Sequence, residues 1–168
     1  MSESTGEDYP VAKRIDLAFQ VMNYNQGFVV FVDGKANSLL VVDSIILATS
    51  GAAALTGSKV ALAALVAATA AILLCLSVVY ARHANPAKRD KSRLAFYAHI
   101  LQRKDWGQYL RDLEEIEPDA LLASFAHQVH DLAQVVDKKF HAYRRAQSAT
   151  FVATALWVAS MAMPLFRH

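Results

Sequence analysis

Hydrophobic positions cluster into three long runs separated by polar, punctuated sequence. Residues 36–55 (ANSLLVVDSIILATSGAAAL) carry one charge, Asp43. Residues 60–81 (VALAALVAATAAILLCLSVVYA) and 148–166 (SATFVATALWVASMAMPLF) carry none. A helix rises 1.5 Å per residue, so about 20 apolar residues cross a hydrocarbon core about 30 Å thick. Each run meets that length. A helix of a soluble bundle needs a polar face, and the second run has none. The pattern therefore predicts three transmembrane helices, at 36–55, 60–81 and 148–166. The first run starts behind a polar, acidic N-terminus, unlike the early apolar region of a signal peptide.

The remaining sequence reads as helix and turn. Residues 1–9 are polar and predict disorder. From about Pro10, the apolar positions Val11, Ile15, Ala18 and Met22 recur at helical steps, predicting a cytoplasmic amphipathic helix over 10–35 that feeds the first span. Between the second and third spans lies a helical cytoplasmic section, residues 82–147. Asn85-Pro86 marks a turn. Ser92 suits the cap of a helix to about Lys104, and Asp105 the cap of a short helix to about Leu113. Pro118 suits the first turn of another. Leu122, Phe125, Val129, Leu132, Val136, Phe140 and Tyr143 then follow steps of 3, 4, 3, 4, 4 and 3, near a heptad with an irregular step beside Lys139. No Gly or Pro occurs from Asp119 to Met163. The third span is thus expected to continue a long cytoplasmic helix as one rod of roughly 68 Å. The fold class is all-α.

Composition supports this picture. Of 168 residues, 55% are hydrophobic and 19% charged, which excludes a disordered chain. The single Cys75 cannot form an internal bridge. The net charge of +2 hides an asymmetry: 15 of the 17 Lys and Arg lie before the first apolar run or between Arg82 and Arg145. Basic segments stay in the cytoplasm. The expected protein is multi-pass, with a cytoplasmic N-terminus, a tight outside hairpin at 56–59 and a third span ending outside.

Candidate chemistry is concentrated at polar residues in apolar settings. A charge at the depth of Asp43 costs roughly 2.5–3.5 kcal/mol on insertion scales, so it needs a partner or water. Three readings stay open: protonated and bonded between subunits, lining a pore, or seated at a shallower depth. Asp33 and Lys35 lead into the same span, either reaching toward headgroups or pairing with the basic helix ends. Ser44, Ala48 and Ala52, and likewise Ala63, Ala67 and Ala71, form small-residue edges that let helices approach closely in lipid. The seam at 122–143 also needs a partner, either the N-terminal arm or another subunit, and with these edges a homo-oligomer is expected. His127, His130 and Asp131 echo a His-Asp metal pair, but no matching carboxylate segment accompanies them. There is no P-loop, dinucleotide fingerprint, nucleophile elbow or zinc spacing. No enzyme, metal or cofactor is expected, and no DNA or RNA partner. Arg93, Tyr97, His99, Arg103, Lys138, Lys139, Arg144 and Arg145, together with His130, offer the cations, donors and ring that a small phosphorylated ligand requires. Juxtamembrane Lys and Arg also bind anionic lipid.

One set of residues resembles a known family. Asp33-Gly34-Lys35-Ala36 leads into the first span, followed by the hairpin. Phe96-Tyr97-Ala98-His99-Ile100, Tyr109-Leu110, Gln128-Val129-His130 and Lys139-Phe140 then precede the final span. Their order and spacing over about residues 11–165 resemble the Pycsar effector transmembrane family, PycTM. Two positions depart from the pattern: Phe140 stands where Tyr is expected, and Asp43 where a neutral polar residue such as Asn is expected. The resemblance implies an antiphage effector of the bacterial inner membrane. Such an effector senses cyclic CMP or cyclic UMP made by a partner pyrimidine cyclase and impairs the membrane, causing abortive infection. The alternatives are a constitutive small channel, or a membrane scaffold subunit with a cytoplasmic coiled coil.

Overall fold

A computed structural model describes residues 10–80, 100–101 and 103–163. The disordered segment expected at 1–9, the turn at Asn85-Pro86 and the end of the third apolar run lie outside the described residues. So does most of the helix expected from Ser92. Among the described residues the protein is all-helical, with α1 (Val11–Leu55), α2 (Lys59–Tyr80), α3 (Trp106–Glu114) and α4 (Pro118–Ala162).

Helices α1 and α4 each run unbroken for 45 residues. The carbonyl of Pro10 accepts the amide of Arg14 at 3.2 Å, so proline sits just before α1 and opens it. Gly27 and Gly34 lie within α1 without interrupting it. The hairpin to α2 is short because Gly57 adopts φ +89°, a left-handed conformation open to a residue without Cβ. Ser58 then accepts the amide of Ala61 and starts α2. Asp105 caps α3 as its sequence suggests, accepting the Gln108 amide at 2.7 Å. Pro118 opens α4.

The chain divides into two units. One takes in residues 11–28 of α1, the segment around α3 and residues 118–135 of α4. There the stripe Val11, Ile15, Ala18 and Met22 is half-buried to buried. Phe19 meets Phe125 edge to face, with ring centroids 6.2 Å apart. The seam residues Leu122, Phe125, Val129 and Leu132 are half-buried. Arg103 and Asp112 pair at 2.9 Å beside α3.

The other unit takes in residues 29–55 of α1, α2, and residues 136–162 of α4. Its interior is built from small side chains. Ala61, Ala64, Ala68, Ala71, Cys75 and Val78 line the inward face of α2 at alternating steps of three and four. Ile46, Ala68 and Ala153 form one cluster, and Val32, Ala36 and Val78 another. The large side chains point away: Val30, Phe31, Val41, Ile45, Leu62, Val66, Leu73, Phe151, Val152 and Val158 are all more than half exposed. Helices α1 and α2 are long and apolar enough to cross a membrane. Most of both apolar stretches is exposed in the structure.

Candidate functional site

The second unit buries Asp43, Ser50, Lys139 and Thr150, at three levels along α1 and α4. Partners across these helices lie 106 or 107 residues apart in sequence. The constant offset means that the two helices run parallel in fixed register. The tight hairpin sets α2 antiparallel to α1.

At the first level Lys139 is fully buried. Its Nζ donates to Asp33 Oδ1 at 2.5 Å and to the Val78 carbonyl at 2.7 Å. One ammonium thus joins α1, α2 and α4. On α2 the acceptor is a backbone carbonyl, so the lysine fastens that helix through its main chain. The short contact is a charge-assisted bond, and removing one partner of a buried ion pair costs about 3–5 kcal/mol.

Ten residues further along α1, roughly 15 Å at helical rise, Asp43 is also fully buried. Its Oδ2 accepts from the Thr150 hydroxyl at 2.9 Å. At the third level the same offset aligns Ser50 with Trp157. Among the described residues, Asp43 Oδ1, Ser50 Oγ and Trp157 Nε1 are buried without a hydrogen-bond partner. Most neighbouring hydroxyls avoid this state by bonding carbonyls of their own helix. Ser44 donates to Leu40, Thr69 to Leu65, Thr154 to Thr150 and Ser160 to Trp157.

The positions singled out in the sequence take different places. Arg93, Tyr97 and His99 lie outside the described residues. Arg103, with a side chain only 6% exposed, pairs with Asp112 and lies 5.7 Å from the Tyr109 ring. His130 is exposed on α4, its Nε2 3.0 Å from Gln134 Nε2. Arg103 and His130 belong to one unit, and Lys139 and Arg144 to the other. Arg144 is exposed, whereas Lys139 faces inward and has Asp33 for a partner. Asp33 thus takes the pairing role that was one of its two readings. Lys35 lies over the Phe31 ring at 5.5 Å. Ser44, Ala48 and Ala52 are exposed; the buried face of α1 runs one or two positions away, through Asp43, Ile46 and Ser50. On α2 only Ala71 of the expected edge lies fully inside.

Sequence reasoning did not single out Thr150, Ser50 or Trp157 as core polar groups. It did carry a signal for Lys139. The irregular step of the heptad falls there because the inward position is occupied by lysine, where an apolar residue was sought.

Comparison with known proteins adds identity. The sequence model of one family, described as the Pycsar effector protein domain, PycTM, matches residues 17–166. No curated protein and no solved structure matches the chain.

Proposed function

The chain belongs to the PycTM family of Pycsar effector proteins, and we propose from that membership that it is a three-span sensor and executioner of the bacterial inner membrane. Pycsar effectors serve antiviral defence, in systems that use a cyclic nucleotide signal and a partner cyclase. In our reading the ligand is cyclic CMP or cyclic UMP, the N-terminus is cytoplasmic, and the active form is a homo-oligomer. The protein acts by binding and repacking, without catalysis.

The observation that carries the membrane part is the reversed packing of the second unit. Leu73, at 62% exposure, and Val66, at 59%, point outward, while four alanines of α2 are fully covered. In water that arrangement leaves the strongest hydrophobes wet, at roughly 25 cal/mol for each Å² of apolar surface. In lipid the outward Leu and Val cost nothing, and the small inward residues allow close helix approach. The third span is residues 148–166 of the same reading, continuing α4.

Sensing follows from ligand chemistry. A cyclic mononucleotide carries one phosphate charge, which an Arg or a pair of Lys neutralises. Arg93, Tyr97, His99, Arg103, His130 and Arg144 are the candidates that retain this role in the proposal; Lys139 is committed to Asp33. The ligand acts by favouring one helix arrangement, and moving the balance from 1:99 to 99:1 takes about 5.5 kcal/mol of differential binding.

The test is dye or ion leakage from liposomes carrying the full chain, with cyclic CMP and cyclic UMP added separately, alongside calorimetry. Nucleotide-dependent leakage with measurable binding is expected. Absence of both with either nucleotide removes the sensing reading. Leakage without nucleotide and unchanged by it favours a constitutive channel.

A further inference from the structure

The apolar faces of the second unit leave one thing undefined, the register of α4 against its neighbours. The inward side chains of α2 are Ala61, Ala64, Ala68, Ala71, Cys75 and Val78. A slip of one turn along much of that face sets alanine where alanine was before, so shape alone discriminates weakly between registers. A polar residue at a core position does discriminate, because it must find its partner or remain bare. Lys139 is such a residue: fully buried, 2.5 Å from Asp33 and 2.7 Å from the Val78 carbonyl.

We propose that the cluster of Lys139, Asp33 and the Val78 carbonyl is the resting latch of this effector, holding α4 in register with α1 and α2 until the signal releases it. The inference rests on the sensor reading above and names the contact that its conformational step must break. Buried ammonium has no water to fall back on, so Lys139 is either seated between its two acceptors or displaced to a place that offers others. That makes the contact two-state, as a switch needs. In sequence, Val78 precedes the ligand candidates Arg93, Tyr97 and His99. Asp43 and Thr150 lie ten and eleven residues further along their helices in nearly the same offset, so a slip of α4 that unseats Lys139 also parts that bond.

The test uses full-length protein in dye-loaded liposomes without nucleotide. Lys139→Met is expected to leak at least ten times faster than the parent, and Asp33→Asn to leak to a lesser degree. Asp33→Glu, which retains the charge, stays as tight as the parent. Circular dichroism and flotation with the liposomes establish that each variant is helical and inserted. Inserted, helical Lys139→Met that holds dye as the parent does overturns the latch. If that variant does not insert, Ile46→Cys with Ala153→Cys in a Cys75→Ala background decides, since Ile46 and Ala153 share one buried cluster. The disulfide is expected to abolish nucleotide-evoked leakage, leave binding by calorimetry intact and lose its effect on reduction. Leakage unaffected by the disulfide overturns the latch. A parent silent to both nucleotides beside a leaking Lys139→Met removes the sensing reading and keeps the latch. A nucleotide-responsive parent beside a Lys139→Met variant that matches it removes the latch and keeps the reading.

Discussion

Residues 29–80 and 136–163 turn their large side chains outward and keep Asp43, Ser50, Lys139 and Thr150 inside. Among residues 11–28, 100–101 and 103–135, only Met22 and Ser124 are buried; the seam is half-buried, Asp105, Lys104, Arg111 and Glu114 are exposed, and Leu17, Tyr24, Leu101 and Trp106 are more than half exposed. The two units thus differ in what they keep inside: charged and hydroxyl side chains among small residues in one, chiefly an apolar seam in the other. Small interior residues under an apolar surface are the packing that lipid tolerates best.

The comparison breaks most readily at Leu73, exposed on α2. In the proposed membrane placement, Leu73→Lys sets a charge against lipid at a cost of about 3 kcal/mol, and should shift most of the protein out of the carbonate-resistant membrane fraction. Leu113→Lys, on the exposed face of α3, should leave that fraction unchanged. Equal behaviour of the two variants would dissolve the contrast. Next comes Ala68→Leu, which forces three carbons into a fully covered position. Overpacking costs typically 1–3 kcal/mol, and thermal unfolding in detergent should show a lower midpoint, whereas Leu73→Ala should scarcely move it.

Two smaller effects sharpen the picture. Asp105→Ala removes the cap of α3 and should cost about 1 kcal/mol. Its signature is faster hydrogen exchange confined to the first turn of α3. Thr150→Val removes the hydroxyl bonded to Asp43. Helix-to-helix hydrogen bonds in membranes average about 0.6 kcal/mol, so only a slight loss of stability in detergent is expected. A loss several times larger would mean that the Asp43 level contributes more to the fold than its single observed bond indicates.

Much of the helix layout was readable before the structure. Pro10, Asp105 and Pro118 start helices because each acts through its own backbone or side chain on the adjacent turn. The long α4 follows from 45 residues free of Gly and Pro. The seam of α4 was visible because apolar and polar positions alternate along it. The inward face of α2 was not. Nearly every residue around that helix is apolar, so the sequence contains no period that distinguishes Ala63, which is exposed, from Ala64, which is buried. On α1 the edge at Ser44, Ala48 and Ala52 differs by one or two positions from the buried face. Small size is a property of a residue, while facing inward is a property of its neighbours.

The sequence by itself determined that this chain is helical, that its apolar runs exceed what so short a polypeptide can cover, and that it belongs to the PycTM family. Those are consequences of composition, of punctuation and of local order. Only the tertiary structure decided the partner of Lys139. A basic residue beside an apolar run can reach solvent, headgroup, ligand or carboxylate with the same side chain. The choice fell to Asp33 and the Val78 carbonyl because parallel α1 and antiparallel α2 deliver both acceptors to one buried point, from positions 106 and 61 residues away in sequence.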